Sequence, residues 1–257
     1  MAQVVEVAVD VAAIMKDFSN VAVKEEAVFK GFEGYQYKIS ALKTLIDSNG
    51  GLTLGVARDL AFSFYYDENL KLLEEIGVKM LSFSPVYDAV IPEGVDAILL
   101  GGGYPELFAV EIEANQAMRE SIRAFAINGG SIYAECGGLM YLTNELIYNE
   151  QSYKMTGILG GSSHMTKSLQ NFGHVEATYQ DAITKDELIT IRGHEFHHSF
   201  VKMGQETPRL IKVAGKTGER QCGYLKGNVL ATYVHTHFYS NLDFVDYLIH
   251  FFLRGKI

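Results

Sequence analysis

The sequence predicts an α/β fold built on a mostly parallel central sheet with helices on both faces and antiparallel additions in the C-terminal half. From Leu52 onward, short apolar runs alternate with stretches of helical periodicity, the pattern of a parallel sheet threaded through crossover helices. Strands alternating with helices of this length form a sheet covered on both faces, and the run at 131–135 reads as one of its buried strands. After Tyr148 the strand-like runs crowd together, and strands joined over short distances pair antiparallel.

The first fifty residues stand apart. Residues 4–18 read as a short apolar-rich helix and 32–48 as a loosely patterned linker, so the domain proper is expected over 51–257. Its first strand is LTLGVA at 52–57, followed by a helix at 67–76 that buries Leu70, Leu73 and Ile76 and ends at Gly77. Strands follow at 78–83 and 95–100, then a helix at 114–127 closed by Asn128-Gly129-Gly130, then the buried strand at 131–135. Later strands are expected at 174–179, 196–202, 210–214, 222–226 and 229–233, and an amphipathic helix at 242–253 packs Phe244, Leu248, Phe251 and Phe252 back on the sheet. The aromatic cluster Phe62, Phe64, Tyr65 and Tyr66 after the first strand is expected to be core.

Composition excludes several function classes. A chain of 257 residues, 48% hydrophobic and 21% charged, buries a full core. No run reaches the roughly eighteen apolar residues of a membrane span, and the start MAQVVEVAVD lacks a basic region and a cleavage site, so a cytoplasmic, membrane-free protein is expected. Two cysteines, Cys136 and Cys222, are too few for a disulfide framework and lack metal-ligand spacing. A net charge of -9 with no basic stripe argues against nucleic acid. The chain has no G-x-x-x-x-G-K-[ST] loop, so no cofactor is expected within it.

The residues that carry chemistry cluster in a few motifs. In SIYAECGGLMYL, Cys136 lies between a buried strand and a helix opening with Gly137-Gly138, a nucleophile elbow in thiol form. Amides at a helix N-terminus favour the thiolate. In ILLGGGYPE, the amides of Gly102 or Gly103, together with that of Gly137, are expected to donate to an oxyanion. The base must be a histidine, and His235 or His237 in LATYVHTHFYSN follows a strand at the sheet's carboxyl edge. In RGHEFHHSF, His194, His197 and His198 compete with them. The His194-Glu195-x-x-His198 spacing suits a strand more than the helix a zinc site needs, so no metal is expected. His164, His174 and His250 read as surface or loop residues.

Five motifs, FYYDENLKLLEE, LLGGGYPELFA, YAECGGLMYL, GHEFHHS and TYVHTHF, together resemble the cobyrinic acid a,c-diamide synthase family in family order over about residues 51–242. The resemblance implies a class I glutamine amidotransferase-like fold and a two-part enzyme, in which an ATP- and Mg-dependent synthetase domain or subunit uses ammonia that the glutaminase half releases from glutamine. It implies Cys136 as nucleophile through a thioester and His235 as the residue that activates it. Residues 1–50 are then similar to the end of the synthetase domain plus a linker, and the chain is expected to be a piece of a longer protein or the product of a split gene. Homodimerisation is expected to cover any apolar patch the absent domain leaves. The family pattern departs at His237, where broader class I enzymes carry a glutamate, so His235 is expected to be oriented from Glu195, a backbone carbonyl or elsewhere, with His197 and His237 as supporting candidates. A non-catalytic module and a free-standing cysteine amidase are the alternatives.

Overall fold

The computed structural model describes residues 25–180, 188–204, 209–216 and 218–254. The segment 4–18, read as a helix, lies outside them. The chain divides into compact units Met1–Ile39 and Ser40–Ile257. The stretch 32–48 is not a loose linker: it belongs to helix α1 (Glu25–Ser48). In the second unit Leu42 and Ile46 of that helix are buried, and the spacing of four between them is the one-sided pattern that makes the segment helical. Among the described residues no helix is long and apolar enough to cross a membrane.

In chain order the second unit continues with β1 (Thr53–Ala57), α2 (Asp67–Glu75), β2 (Lys79–Phe83) and β3 (Ala97–Leu100). A 3-10 turn (Pro105–Phe108) leads into α3 (Ala109–Ala114), α4 (Gln116–Ile127), β4 (Ser131–Glu135) and α5 (Gly137–Leu142). The helix expected at 114–127 breaks at Asn115. That side chain accepts from the Met118 amide at 3.3 Å and donates to Pro85 and Asp88 carbonyls at 3.0 and 2.8 Å, so it caps one helix and ties it to the preceding loop.

The remaining strands are β5 (Glu145–Tyr148), β6 (Gln151–Lys154), β7 (Ser162–Met165), β8 (Asn171–Gln180), β9 (Leu188–His197), β10 (Ser199–Lys202), β11 (Arg209–Gly215), β12 (Gly218–Lys226), β13 (Val229–Thr232) and β14 (His235–Thr236), before α6 (Leu242–Arg254). The main sheet runs β14-β9-β8-β11-β12-β13-β4-β3-β1-β2. From β2 to β13 neighbours are parallel, and from β13 to β14 antiparallel, as the C-terminal crowding of strands predicts. Strands β5, β6, β7 and β10 form a separate four-stranded sheet that the sequence did not announce, because segments such as QSYK and SSHM lack an apolar run.

Every residue of β3 and β4 is buried, so both faces of the sheet are covered there. The Ser131 hydroxyl donates to the Phe251 carbonyl at 2.8 Å, which fixes α6 against β4. The strand order β2-β1-β3-β4 reverses direction of growth beside β1. Ligands in such sheets bind beyond the carboxyl ends of the strands, which is where β3 hands over to Gly101 and β4 to Cys136. Of the aromatic cluster expected in the core, only Phe62 is fully buried. Phe64 is 40% exposed, because it faces a cavity at that end of the sheet.

Candidate active site

The chain turns from β4 into α5 through Cys136, whose φ of 48° and ψ of -103° are strained for a residue with a side chain. Two backbone bonds hold it there. Its amide donates to the Thr232 carbonyl at 2.7 Å, and its carbonyl accepts from Met140 at 3.1 Å. Gly138 follows because a Cβ there would overlap the Leu100 carbonyl and sit 2.8 Å from the Leu100 Cβ, so only glycine lets α5 start so close to β3. Burial pushes the Cys136 thiol up to about 12, against a hydrogen bond from the Gly137 amide that favours the thiolate. The sequence led us to expect the helix amides to prevail. Desolvation wins, so Cys136 stands as a thiol.

The loop after β3 passes beside the elbow. The amide of Gly102, one of the two expected after β3 as an oxyanion donor, is donated to the Phe64 carbonyl at 3.2 Å in a two-way bridge returned at 3.0 Å. Its role is clearance: a Cβ on Gly102 would overlap Cε1 of His235. The Gly103 amide has no acceptor among the described residues, and it lies 3.2 Å from where a Cβ of Gly137 would stand. Gly103 and Gly137 are therefore the pair of amides adjacent to Cys136.

His235 opens β14, opposite His194 of β9. It is 4% exposed, and its ring packs on Phe64 at 4.6 Å and stacks on His194 at 4.9 Å, 17° from parallel. Burial, reinforced by His194 and His197, pushes its imidazole down to about 3, so it rests neutral. Its Nδ1 is buried without a hydrogen-bond partner among the described residues, 3.9 Å from Oε2 of Glu135. Glu135 escaped the sequence reading. The signal was present, since a carboxylate ending a fully buried strand beside the nucleophile is costly unless something uses it. Burial pushes Glu135 up to about 7, opposed by hydrogen bonds from Thr236 and Tyr133.

The supporting candidates lie elsewhere. Glu195 pairs with Arg220, and its other oxygen is 3.8 Å from Nε2 of His197, not beside His235. The His197 Nδ1 bonds the Ser199 carbonyl at 2.8 Å while its ring stacks on Tyr233 at 3.9 Å, the setting of a structural histidine. His237 is half-buried against Tyr66, ring centroids 5.0 Å apart. Cys222 is buried in β12 with its sulfur 3.8 Å from the Thr232 hydroxyl. His194 was expected only as a rival base, yet it lines the cavity, with Nδ1 bonded to the Tyr66 hydroxyl at 2.6 Å. The run from His194 to His198 lies mostly in β9, where residues four apart stand about 13 Å apart. Among the described residues no group of three His, Cys, Asp or Glu is placed to hold a metal.

Cys136, His235, His194 and Gly103 line one cavity of about 300 Å³, at the lower end of small-molecule sites. Its outer wall is aromatic: Phe64, Tyr104, and Phe172 packed edge-on against Phe196 at 5.8 Å. Such an arrangement gathers a thiol, a neutral imidazole and two amides at one small cavity, which is the equipment of acyl transfer.

Comparison with known proteins agrees with that chemistry. A family model described as CobB/CobQ-like glutamine amidotransferase domain matches residues 53–242. The cobyrinate a,c-diamide synthase of Clostridium acetobutylicum is 43% identical over 205 residues, 78% of this chain and 46% of that protein. The enzyme of the same name from Listeria monocytogenes serotype 4b is 41% identical over 202 residues, covering 77% and 44%. The chain spans about half the length of the curated relatives it matches. A solved glutamine amidotransferase superposes with a TM-score of 0.56 at 14% identity, over 77% of this chain and 98% of that one. PurLQS from Thermotoga maritima gives 0.52 at 18%, over 72% and 87%. Likeness at such low identity speaks for the fold alone.

Proposed function

The chain belongs to the family of CobB/CobQ-like glutamine amidotransferase domains, and from that premise we propose that it hydrolyses glutamine and supplies the ammonia to an a,c-diamide synthase that amidates a tetrapyrrole-derived ring of the cobyrinate type. The observation that carries the reading is the convergence of Cys136, His235 and the Gly103 amide on one cavity.

Glutamine enters with its side-chain amide toward Cys136. His235 takes the thiol proton and the sulfur attacks the amide carbon. The carbonyl oxygen becomes an oxyanion, received by the amides of Gly103 and Gly137. His235 returns the proton to the leaving nitrogen, ammonia departs, and a thioester remains. Water, deprotonated by His235, then attacks the thioester carbon, the C–S bond breaks, His235 returns the proton to the sulfur, and glutamate leaves with the thiol regenerated. The resting thiol and neutral imidazole suit this order, since the ion pair forms only when substrate arrives.

The amide-forming half of the reaction needs a carboxylate activated with ATP and Mg, in a synthetase domain or subunit, and the relatives' greater length supports such a partner. The test is glutamate and ammonia release from glutamine by the chain alone and with a relative's synthetase half. Release that disappears in Cys136→Ala is expected. No release in either condition would leave a non-catalytic module, and release from simple amides without preference for glutamine would leave a general cysteine amidase.

A further inference from the structure

Two buried polar groups face each other beside the nucleophile. On one side is Nδ1 of His235, which has no hydrogen-bond partner among the described residues. On the other is Oε2 of Glu135, 3.9 Å away. The other carboxylate oxygen, Oε1, is clamped by three donors: the Tyr133 hydroxyl at 2.9 Å, the Thr236 amide at 3.1 Å and the Thr236 hydroxyl at 2.6 Å. None of these reaches Oε2, so the clamp fixes the carboxylate and leaves its second oxygen toward the imidazole. Glu135 directly precedes Cys136 and Thr236 directly follows His235, so the same bonds couple the backbones of nucleophile and base.

We propose that Glu135 is the acidic positioning residue of the Cys136–His235 pair: it receives Nδ1–H of His235, turns Nε2 to the thiol, and stabilises the imidazolium formed when the thiol proton moves. The inference rests on the glutaminase reading above. The positions the sequence offered for this role do not fill it: Glu195 pairs with Arg220, and the position two residues after the base is His237. At 3.9 Å the contact is too long for a hydrogen bond, and a ring shift of about 1 Å closes it. Contacts of this kind often tighten only when substrate is bound.

Around the pair, Arg58 acts on Tyr65, and Glu106 acts with Glu135 on Cys136. Tyr133, Tyr179, Tyr65, Tyr66 and Cys136 feel the Glu135 charge, and His194 and His197 stand near His235. In a buried site, a carboxylate 3.9 Å from Nδ1 lowers the energy of the imidazolium. A merely structural Glu135 would tie β4 to β14 through Oε1 and would do so equally well as an amide.

That difference defines the experiment, made on the full 257-residue chain. Glu135→Gln keeps an oxygen for Tyr133 and Thr236 but loses the charge. Expected are a single cooperative melt, a kcat for glutamine lowered about 100-fold or more with KM little changed, and an iodoacetamide profile of Cys136 whose half-maximal pH moves upward. Thr236→Val, which removes the hydroxyl, the shortest of the three donors to Oε1, but keeps the carboxylate, is expected to fall between the two. Folded Glu135→Gln with wild-type kcat and alkylation profile overturns the proposal, as does a lowered kcat with an unshifted profile. Should Glu135→Gln not fold, an unshifted profile in Thr236→Val overturns it. Because alkylation needs no glutamine, a shifted profile in a chain that never hydrolyses glutamine would sustain the positioning role and sink the glutaminase reading.

Discussion

Gly102 and His235 pack so closely that a methyl group on the glycine would overlap Cε1 of the imidazole. The obstacle is a side chain, not a strand, so the ring can yield. Gly102→Ala is therefore expected to melt near the wild-type temperature while turning His235 away from Cys136. Displacement by about 1 Å at a reacting group costs on the order of 100-fold in rate. Glutamine turnover beside a thermal melt checks this, and a variant with full turnover would show that His235 tolerates another position.

Strain at Cys136 makes a separate prediction. With φ at 48° and ψ at -103°, any side chain there is held in an unfavourable region, at a cost of about 1–3 kcal/mol. Cys136→Gly should be inactive but melt higher than Cys136→Ala, by a net of about 1 kcal/mol once the glycine's extra unfolded-state freedom is subtracted. Equal melting temperatures would mean that the turn is not strained.

Stability should also follow Glu135 with pH. Burial raises its carboxyl from 4.5 to about 7. Stability from this group is thus fully present below pH 4.5 and is lost as pH rises through 7. His235 acts in the opposite sense: lowered from 6.5 to about 3, it contributes stability above pH 6.5 that is lost as pH falls toward 3. The His235 contribution is common to wild type and Glu135→Gln, so the wild-type advantage in melting temperature should shrink between pH 4.5 and 7 and then level off. A difference independent of pH would contradict a buried carboxyl whose pKa is raised.

Much of the fold was legible because the sheet's interior is written in apolar runs. The strand at 131–135 has the bounds expected, and Leu70, Leu73 and Ile76 are all buried in or beside α2 as their spacing implies. What escaped was set by distant partners. The second sheet rests on register between β5 and β7 rather than on a hydrophobic pattern. Glu135 met the same limit, since only folding brings it opposite His235, 100 residues away in the chain. Gly102 was expected as a donor from its place in GGG, and its amide was claimed instead by Phe64, a pairing no local rule contains. Glu195 looked suited to orient the base, and Arg220 on β12 drew it away.

The most direct measurement of the central claim is intact-mass and peptide mapping after incubation with a diazo-ketone analogue of glutamine. One adduct, on Cys136, reduced in His235→Ala and unaffected by Cys222→Ser, is the predicted result. Labelling of Cys222, or no labelling of the folded chain, would contradict an assembled glutamine site around Cys136 and His235.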